Sequence, residues 1–443
     1  MRILVVGAGA AGMAAATRAK RVDPSARITV LEAGREIGRG TCSLPYFLSG
    51  ELEEKSLQAR DLNDFEREGI EVRPATRATV IHPYQRKLES SAETFHYDRL
   101  IVSTGSRARC TRNLGLDPEA PGVWRLRTIA DVRKIKQEIQ QRPPRRVAVI
   151  GGGYVGLEAA EALCHLGIKV TLFHRDAAPA RLAPTLAEEL VQLFLRQGVE
   201  IQLNSDVEKI DLESGLLVAR TPQGETRGQF DAFLTASGIE PETTLLKEAG
   251  ASTGPSGAVK VNSRGETSLG NVYACGDGVE VPNPRGGVGR WVPLATTAAR
   301  LGRVCGENAA GGSRRLGAIH GALAVRLFSK ELGMVGLPQD WADCRPIEVE
   351  WGGKGYPFPS RGPGRCLLFE DRRTGRFMGM QALAPQVSGL VDLASLCLEQ
   401  ELTVQEMQDL DCAYTPPLSA LWHPFYLAAR KAEKSIGGRH ELY

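Results

Sequence analysis

One cysteine in this sequence lies where a thiol can act as a nucleophile. Cys42 lies ten residues beyond Glu32, in a loop that contains Gly38 and Gly40, and it precedes a predicted helix over residues 44–54. A thiolate at a helix N-terminus is stabilised by the helix dipole and by nearby backbone N–H groups, which lowers the pKa of the thiol. A buried structural cysteine is the alternative interpretation. The position of Cys42 favours a reactive thiol.

The remaining cysteines match neither a disulfide scaffold nor a metal site. The sequence has nine cysteines and seven histidines, with no CxxC pair and no spacing typical of zinc ligands. We therefore assign no metal. An odd cysteine count in a chain of this size is typical of a reducing compartment, and we expect a cytoplasmic protein.

The first phosphate-binding pattern begins at the start of the chain. An apolar strand is followed by a glycine-rich turn, an alanine-rich helix and a second strand that ends at Glu32. In such a turn the first glycine allows the tight bend, the second allows a pyrophosphate to approach, and the third allows the helix to pack on the strand. Glu32 can accept a hydrogen bond from a ribose hydroxyl. The three glycines are Gly7, Gly9 and Gly12.

A second copy of this pattern begins near residue 146. Its three glycines are Gly151, Gly153 and Gly156. After its second strand, His174 takes the place of the acidic ribose ligand, and Arg175 and Arg181 follow. Guanidinium groups at this place favour a 2′-phosphate, so the pattern predicts NADPH, with NADH as a possible alternative. Ordinary surface charges are the other interpretation of the two arginines.

Two further strand ends can complete the first nucleotide site. Residues 97–109 predict a strand that leads into a glycine turn at Thr104 and Gly105. Residues 270–280 predict another strand, which ends at Gly276 and Asp277. A carboxylate at such a strand end can bind the polyol of a flavin, although a plain turn aspartate is the alternative.

Length and charge limit the classes of protein to which this chain can belong. The chain has 443 residues, enough for about three domains. Its net charge of +3 provides no broad basic surface, so we expect no nucleic acid as a partner. The apolar run over residues 3–16 is shorter than the ~20 residues that a membrane helix needs, and three glycines interrupt it. We therefore expect no membrane association.

Together these landmarks resemble the two-dinucleotide-fold flavoprotein disulfide reductases. GAGAAG with Glu32, STG at 103–105, GGGYVGLE and YACGDG occur in the family's order within residues 1–280. The resemblance implies FAD and an α/β fold with two Rossmann-like, glutathione-reductase-like domains and a C-terminal α/β dimerisation domain. It implies an FAD domain at 1–108 and 240–316, an NAD(P) domain at 109–239, and an interface domain at 317–443 that forms a homodimer.

The lone Cys42 resembles the single-cysteine members of this family. These are coenzyme A disulfide reductases, persulfide reductases and NAD(P)H oxidases. Residues 409–420 resemble the C-terminal signature of the same subgroup, which implies that Tyr414 lies across the dimer interface near the partner's thiol. Tyr414, with Tyr356 as a weaker candidate, could hydrogen-bond a leaving thiolate, and packing at the interface is the alternative for both. A further hypothesis makes Cys412 a resolving thiol for Cys42.

The resemblance also implies a path for electrons. Hydride passes from NADPH through the flavin to the sulfur of Cys42, and a disulfide substrate reacts through a mixed disulfide. Tyr154 and Glu158 correspond to family residues that flank the nicotinamide pocket. The alternatives are a packing aromatic for Tyr154 and an exposed first-turn acid for Glu158.

Some positions depart from the coenzyme A disulfide reductases. Thr41 and Ser43 flank Cys42 where those enzymes have asparagine and glycine, and Gly38 stands where they have serine. Trp422 stands where they have a lysine that is used for coenzyme A. These changes favour a less anionic or more aromatic thiol as the substrate.

Three functions therefore compete. The first is NADPH-dependent reduction of a low-molecular-weight disulfide or persulfide. The second is a water-forming NAD(P)H oxidase, in which oxygen is the substrate and Cys42 cycles through a sulfenic acid. The third is an electron-transfer flavoprotein with a ferredoxin-like partner, which the Cys42 loop and the Tyr414 signature disfavour. Arg175 and Arg181 favour the first function over the second.

Overall fold

The computed structural model describes residues 1–38, 40–58, 60–109, 114–283, 286–336, 341–352, 362–415, 419 and 421–436. These residues belong to two compact units. The first contains residues 1–110, 125–141 and 237–319, and the second contains residues 111–124, 142–236 and 320–443. The three-domain division from the sequence stays a prediction.

The helices and strands are numbered in chain order. The helices are α1 (Ala10–Val22), α2 (Leu44–Ser49), α3 (Leu62–Arg67), α4 (Ile129–Gln141), α5 (Tyr154–His165), α6 (Pro184–Arg196), α7 (Thr244–Glu248), α8 (Ala295–Ala309), α9 (Ser388–Glu399) and α10 (Pro424–Ile436). The strands are β1 (Arg2–Val6), β2 (Arg27–Leu31), β3 (Ile70–Arg73), β4 (Ala78–His82), β5 (Lys87–Ser90), β6 (Thr94–His96), β7 (Arg99–Val102), β8 (Ser106–Ala108), β9 (Val123–Arg125), β10 (Arg146–Ile150), β11 (Lys169–Phe173), β12 (Glu200–Gln202), β13 (Asp206–Asp211), β14 (Leu216–Thr221), β15 (Gly224–Gln229), β16 (Ala232–Thr235), β17 (Ile239–Pro241), β18 (Val259–Lys260), β19 (Val272–Ala274), β20 (Val279–Glu280), β21 (Leu323–Leu327), β22 (Lys330–Val335), β23 (Cys344–Trp351), β24 (Gly364–Asp371) and β25 (Phe377–Ala384).

The first unit is built on a parallel sheet in the order β19-β7-β1-β2-β3. The apolar residues of β1 are buried because strands flank β1 on both sides and helices cover the sheet. Helices α1 and α8 pack with their backbones in contact. A Cβ atom added at Gly302 or Gly306 would overlap the carbonyl oxygen of Ala11 or Ala15, respectively.

The second unit contains a parallel sheet in the order β12-β11-β10-β16-β9 and an antiparallel sheet in the order β21-β22-β25-β24-β23. Strand β10 pairs in parallel with β11 and β16, which repeats the arrangement of β1. Helices α9 and α10 cover the antiparallel sheet and share its apolar core, in which the rings of Phe377 and Phe425 lie 6.3 Å apart. The predicted α/β class, with two Rossmann-like folds and a C-terminal α/β region, is confirmed.

The helix predicted over residues 44–54 is too long, because α2 ends at Ser49 and Gly50 leaves it with a left-handed φ of 89°. A short 3₁₀ turn then follows at Glu54–Leu57. Among the residues that the structure describes, no helix is long and apolar enough to cross a membrane.

Candidate functional site

The first glycine turn connects β1 to α1 and brings the helix close to the strand. Gly7 has a left-handed φ of 97°, and a Cβ atom added at Gly12 would overlap the carbonyl oxygen of Gly7. The hydroxyl of Ser103 donates to the carbonyl oxygen of Val6 at 2.8 Å and fixes the neighbouring strand end. By contrast, a Cβ atom at Gly9 would meet no atom within 4 Å. The turn therefore has an open cradle at the N-terminus of α1.

Glu32 holds this turn through both of its carboxylate oxygens. The N–H of Ala8 donates to Oε2 at 2.8 Å, and the N–H of Gly34 donates to Oε1 at 2.7 Å. Each carboxylate oxygen keeps a further lone pair that can accept a hydrogen bond from a ribose hydroxyl. The predicted ligand thus also supports the loop between the first two glycines.

Asp277 lies three residues beyond the end of β19 and directly follows Gly276. The hydroxyl of Ser106 donates to its Oδ2 at 3.0 Å, the guanidinium of Arg127 lies 3.6 Å from the same oxygen, and the indole N–H of Trp291 donates to its carbonyl oxygen at 2.7 Å. These three residues orient Asp277. Ser106 lies in the 97–109 segment predicted from the sequence, whereas Arg127 and Trp291 belong to no motif that the sequence showed. Nearby, the hydroxyl of Thr104 donates to the carbonyl oxygen of Glu242 at 2.6 Å.

The residues around the first turn fit a bound FAD. The open cradle at Gly9, with the N-terminal N–H groups of α1 beside it, suits a pyrophosphate. The carboxylates of Glu32 and Asp277 suit ribose and polyol hydroxyls. Both carboxylates belong to the first unit and are held in place by backbone or side-chain donors.

The second glycine turn repeats this geometry in the second unit. Gly151 has a left-handed φ of 113°, and a Cβ atom at Gly156 would overlap the carbonyl oxygen of Gly151. A Cβ atom at Gly153 would meet no atom within 4 Å. This turn therefore also leaves an open cradle, which suits the pyrophosphate of a nicotinamide nucleotide.

His174 supports the second glycine turn by accepting a hydrogen bond from its backbone, as Glu32 does in the first turn. Its Nδ1 accepts a hydrogen bond from the N–H of Gly152 at 3.2 Å, and its Nε2 lies 3.1 Å from the carbonyl oxygen of Ala178. With Nδ1 as the acceptor, the hydrogen bond to Ala178 is donated by the Nε2–H group. A Cβ atom at Gly152 would lie only 2.9 Å from the His174 ring, so the two residues fit each other closely.

The two arginines predicted to recognise a 2′-phosphate differ in their surroundings. Arg175 is exposed, and its Nε lies 3.7 Å from the carboxylate of Asp176. Arg181 is also exposed, and it follows Ala180 in a segment where both residues have a left-handed φ, at 51° and 57°. Their role in nucleotide binding stays a prediction.

Tyr154 and Glu158 lie in the first turns of α5. The Tyr154 hydroxyl donates to the sulfur of Met334 at 3.7 Å, and burial raises the pKa of Tyr154 to about 12. Burial and the nearby carboxylate of Glu161 raise the pKa of Glu158 to about 7. The alternative of an exposed first-turn acid is wrong for Glu158, since its side chain is largely shielded from solvent. A carboxyl group of this kind can hold or release a proton near neutral pH.

The raised pKa of Glu158 predicts a pH dependence of stability. Between its ordinary value of 4.5 and about 7 the folded chain keeps a proton that the unfolded chain has lost. Stability should therefore fall as the pH rises through this window, by about 3 kcal/mol in total. Glu158→Gln should remove this slope, so its melting temperature should exceed that of the wild type at pH 8 and match it near pH 4.5.

Thermal unfolding at several pH values checks this prediction. Glu188→Gln provides the matched control, because Glu188 is exposed on α6. The control should retain the pH dependence of the wild type. An unchanged slope in Glu158→Gln would show that another group is responsible.

Cys42 lies in a 3₁₀ turn at Thr41–Ser43 and is exposed. Because α2 has only six residues, the thiol precedes a shorter helix than the sequence predicted. Two side chains of α4 bind the chain on both sides of Cys42. Arg133 forms ion pairs with Glu36 and Glu54 at 2.7 and 2.5 Å. Lys136 donates to the carbonyl oxygen of Phe47 at 3.1 Å.

The C-terminal candidates lie in the second unit. Tyr414 is 47% exposed and Trp422 is 51% exposed. The Trp422 ring stacks on Tyr426 with the ring centroids 4.6 Å apart. Burial and the neighbouring Asp411 raise the pKa of Cys412. Its role as a resolving thiol stays a prediction. Tyr356 lies outside the described residues.

In the described part of the chain, no group of three or more side chains is arranged to hold a metal ion.

Comparisons with known proteins agree with this geometry. The family model described as pyridine nucleotide-disulphide oxidoreductase matches residues 1–302. A NAD(P)H sulfur oxidoreductase (CoA-dependent) of Pyrococcus furiosus is 28% identical over 443 residues, which cover 97% of this chain and 98% of that protein. An NADH oxidase of Methanocaldococcus jannaschii is 27% identical over 456 residues, covering 99% of this chain and 100% of that protein.

A solved structure is similar over nearly the whole chain. It is that of a NAD-dependent persulfide reductase from A. fulgidus, with a TM-score of 0.93 and 29% identity, covering 99% of this chain and 84% of that one. The family model matches more than half of the chain, including both glycine turns and Cys42. The chain therefore belongs to the pyridine nucleotide-disulphide oxidoreductase family and is an FAD-dependent NAD(P)H oxidoreductase.

Proposed function

We propose that this enzyme uses electrons from NADPH to reduce a low-molecular-weight disulfide or persulfide at the sulfur of Cys42. The observation that carries the proposal is the exposed Cys42 thiol, ten residues along the chain from Glu32, whose carboxylate holds the first glycine turn. A similar protein is named a sulfur oxidoreductase, and another a persulfide reductase. Both names agree with sulfur chemistry at this cysteine.

Two sets of residues would hold the cofactors. For FAD they are Gly7, Gly9, Gly12, Glu32, Thr104, Gly105, Gly276 and Asp277. For the nicotinamide nucleotide they are Gly151, Gly153, Tyr154, Gly156, Glu158, Arg175 and Arg181. FAD, when bound, supplies the relay that turns hydride from the nicotinamide into an electron pair for sulfur.

The chain's own chemistry is thiol–disulfide exchange. The Cys42 thiolate attacks one sulfur of RSSR, the S–S bond breaks, and one thiolate leaves and takes up a proton. Two electrons from NADPH then cleave the mixed disulfide, which restores the Cys42 thiolate and releases the second thiol. One NADPH and one proton are consumed for two thiols formed. In a homodimer, Tyr414 of the partner subunit would hydrogen-bond the leaving thiolate.

The preference for NADPH over NADH is part of the proposal. Asp176 lies 3.7 Å from Arg175 and competes with a phosphate for that guanidinium. Arg181 is therefore the stronger candidate for binding a 2′-phosphate. We further propose the homodimer, the cytoplasmic location and the domain limits predicted from the sequence.

An anaerobic experiment tests the proposal. The FAD-loaded enzyme is reduced with NADPH or NADH and then mixed with coenzyme A disulfide, with other disulfides or with a persulfide. Rapid reoxidation by a disulfide or persulfide, with two thiols formed per NADPH for a disulfide, is the expected result. If none of these compounds reoxidises the enzyme, the proposal is wrong.

The second candidate is a water-forming NAD(P)H oxidase, and the similarity to an NADH oxidase favours keeping it. In this function a sulfenic acid of Cys42 would form and be reduced back to the thiolate. Rapid reoxidation by oxygen alone, with two NAD(P)H consumed per O₂, would favour this candidate over the reductase.

A further inference from the structure

The loop that carries Arg181 has an unusual backbone. This loop, residues 174–183, follows β11 and contains Ala180 and Arg181, whose φ angles of 51° and 57° lie in the left-handed region. Side chains other than glycine rarely adopt this conformation, and two consecutive residues in it need support from their surroundings. Groups on two sides of the 174–183 loop provide this support.

On one side, the loop is attached to the second glycine turn. Gly152 donates its N–H to Nδ1 of His174 at 3.2 Å and accepts at its carbonyl oxygen from the N–H of Ala180 at 2.8 Å. The ring of His174 also bridges to the carbonyl oxygen of Ala178. These contacts position the start and middle of the loop against the turn that would bind the pyrophosphate.

On the other side, the loop is held by one buried side chain from a distant part of the sequence. Gln381 is 0% exposed and lies on β25, opposite Met334 of β22 and Leu367 of β24. Its Oε1 accepts from the N–H of Ala183 at 2.7 Å, and its Nε2 donates to the carbonyl oxygen of Arg181 at 3.0 Å. The side-chain amide therefore ties down the backbone on both sides of Leu182.

These hydrogen bonds account for a fully buried glutamine on β25. Its strand neighbours Met380 and Ala382 are fully buried in the apolar core that α9 and α10 cover. Because side chains alternate along a strand, Gln381 points to the opposite face of the sheet, where it is also fully buried. Burying an amide is costly unless it is hydrogen-bonded, and both ends of this amide find backbone partners in the 174–183 loop. An apolar side chain of the same length would fill the space but could not hold the loop.

We infer that Gln381 is a positioning residue that sets the preference of this enzyme for a nucleotide with a 2′-phosphate. By holding the carbonyl of Arg181, it fixes the direction in which the Arg181 side chain leaves the backbone. The C-terminal sheet thereby contributes to nucleotide selection without contacting the nucleotide. This inference rests on the proposed role of Arg181 in NADPH binding.

Binding of two nucleotides that differ only in the 2′-phosphate tests the inference. Calorimetric titration of the FAD-loaded enzyme with 2′,5′-ADP and with 5′-AMP needs no turnover. Gln381→Met should weaken the binding of 2′,5′-ADP about tenfold, because the variant loses the two hydrogen bonds that orient Arg181. The affinity for 5′-AMP should change less than about twofold. In a double-mutant cycle, Gln381→Met should have little further effect on 2′,5′-ADP once Arg181→Ala is present.

Control variants separate positioning from a general loss of structure. Gln405→Met removes a side-chain hydrogen bond to Glu433 in the same unit, away from the loop, and should leave both affinities unchanged. If Gln381→Met does not fold, Gln381→Asn can replace it. The asparagine side chain is too short to reach both loop partners, so this variant should lose part of the affinity for 2′,5′-ADP. Equal weakening of both nucleotides, or additive losses in the cycle, would overturn the inference.

The outcomes also separate this inference from the proposed function. A wild type that binds 2′,5′-ADP no better than 5′-AMP would contradict the role of Arg181, and the inference with it. A wild type that prefers 2′,5′-ADP, with the same preference in Gln381→Met, would contradict the inference alone.

Discussion

Replacing Cys42 with serine should lower the rate of disulfide or persulfide reduction about a thousand-fold or more, equivalent to at least ~4 kcal/mol in the activation free energy. A serine hydroxyl cannot form the mixed disulfide through which the substrate reacts. Because Cys42 is exposed in a 3₁₀ turn, the substitution should leave the fold and FAD binding intact. Steady-state consumption of NADPH with a disulfide substrate measures the loss.

Two controls make this result specific to the thiol. NADPH oxidation with ferricyanide, an acceptor that takes electrons without a thiol, should be retained in Cys42→Ser. Cys164→Ser should keep full disulfide reduction, because Cys164 lies on α5, donates to the carbonyl oxygen of Gln197 and has no part in the proposed chemistry. A Cys42→Ser variant that kept more than a tenth of the activity would favour an electron-transfer protein instead.

Two substitutions in the first glycine turn should separate folding from FAD binding. Gly12→Ala should destabilise the apoprotein by about 3 kcal/mol, because the new Cβ overlaps the carbonyl oxygen of Gly7 and forces α1 away from β1. In a unit of this size that loss corresponds to a melting temperature lower by about 10 °C. Gly12→Ala should also fail to retain FAD.

Gly9→Ala is the matched variant. Gly9 has a φ of −74° and a ψ of −174°, which alanine adopts readily, and its Cβ would meet no protein atom within 4 Å. The apoprotein should therefore melt like the wild type, whereas FAD should bind about tenfold more weakly because the methyl group fills the cradle. Melting curves of the apoproteins and the ratio of flavin to protein absorbance after gel filtration provide both measurements. Full FAD retention in Gly9→Ala would place the pyrophosphate elsewhere.

The two glycine turns were predictable because their constraint is local. Gly7 and Gly12 are five residues apart, and the overlap that excludes a larger residue at position 12 involves only that short segment. The same holds for Gly151 and Gly156. A geometric requirement confined to a few residues leaves a readable spacing in the sequence, and the two Rossmann-like folds could be predicted from it.

Other parts of the site depended on contacts that no local pattern encodes. The sequence showed that His174 replaces an acid, but only the structure showed that its Nδ1 accepts from Gly152. The helix predicted over residues 44–54 includes Gly50, where the backbone turns left-handed and ends α2. The partner of a side chain and the end of a helix depend both on local backbone preferences and on packing against residues that are distant in the sequence.

The sequence by itself determined the family, the two nucleotide turns and the single candidate thiol at position 42. The tertiary structure decided which side chains support them: Arg127 and Trp291 beside Asp277, Arg133 beside the Cys42 segment, and Gln381 beneath the Arg181 loop. The physical reason is distance along the chain. A glycine turn is specified within six residues, whereas Gln381 meets its partners 198 and 200 residues away, so only the folded chain brings them together.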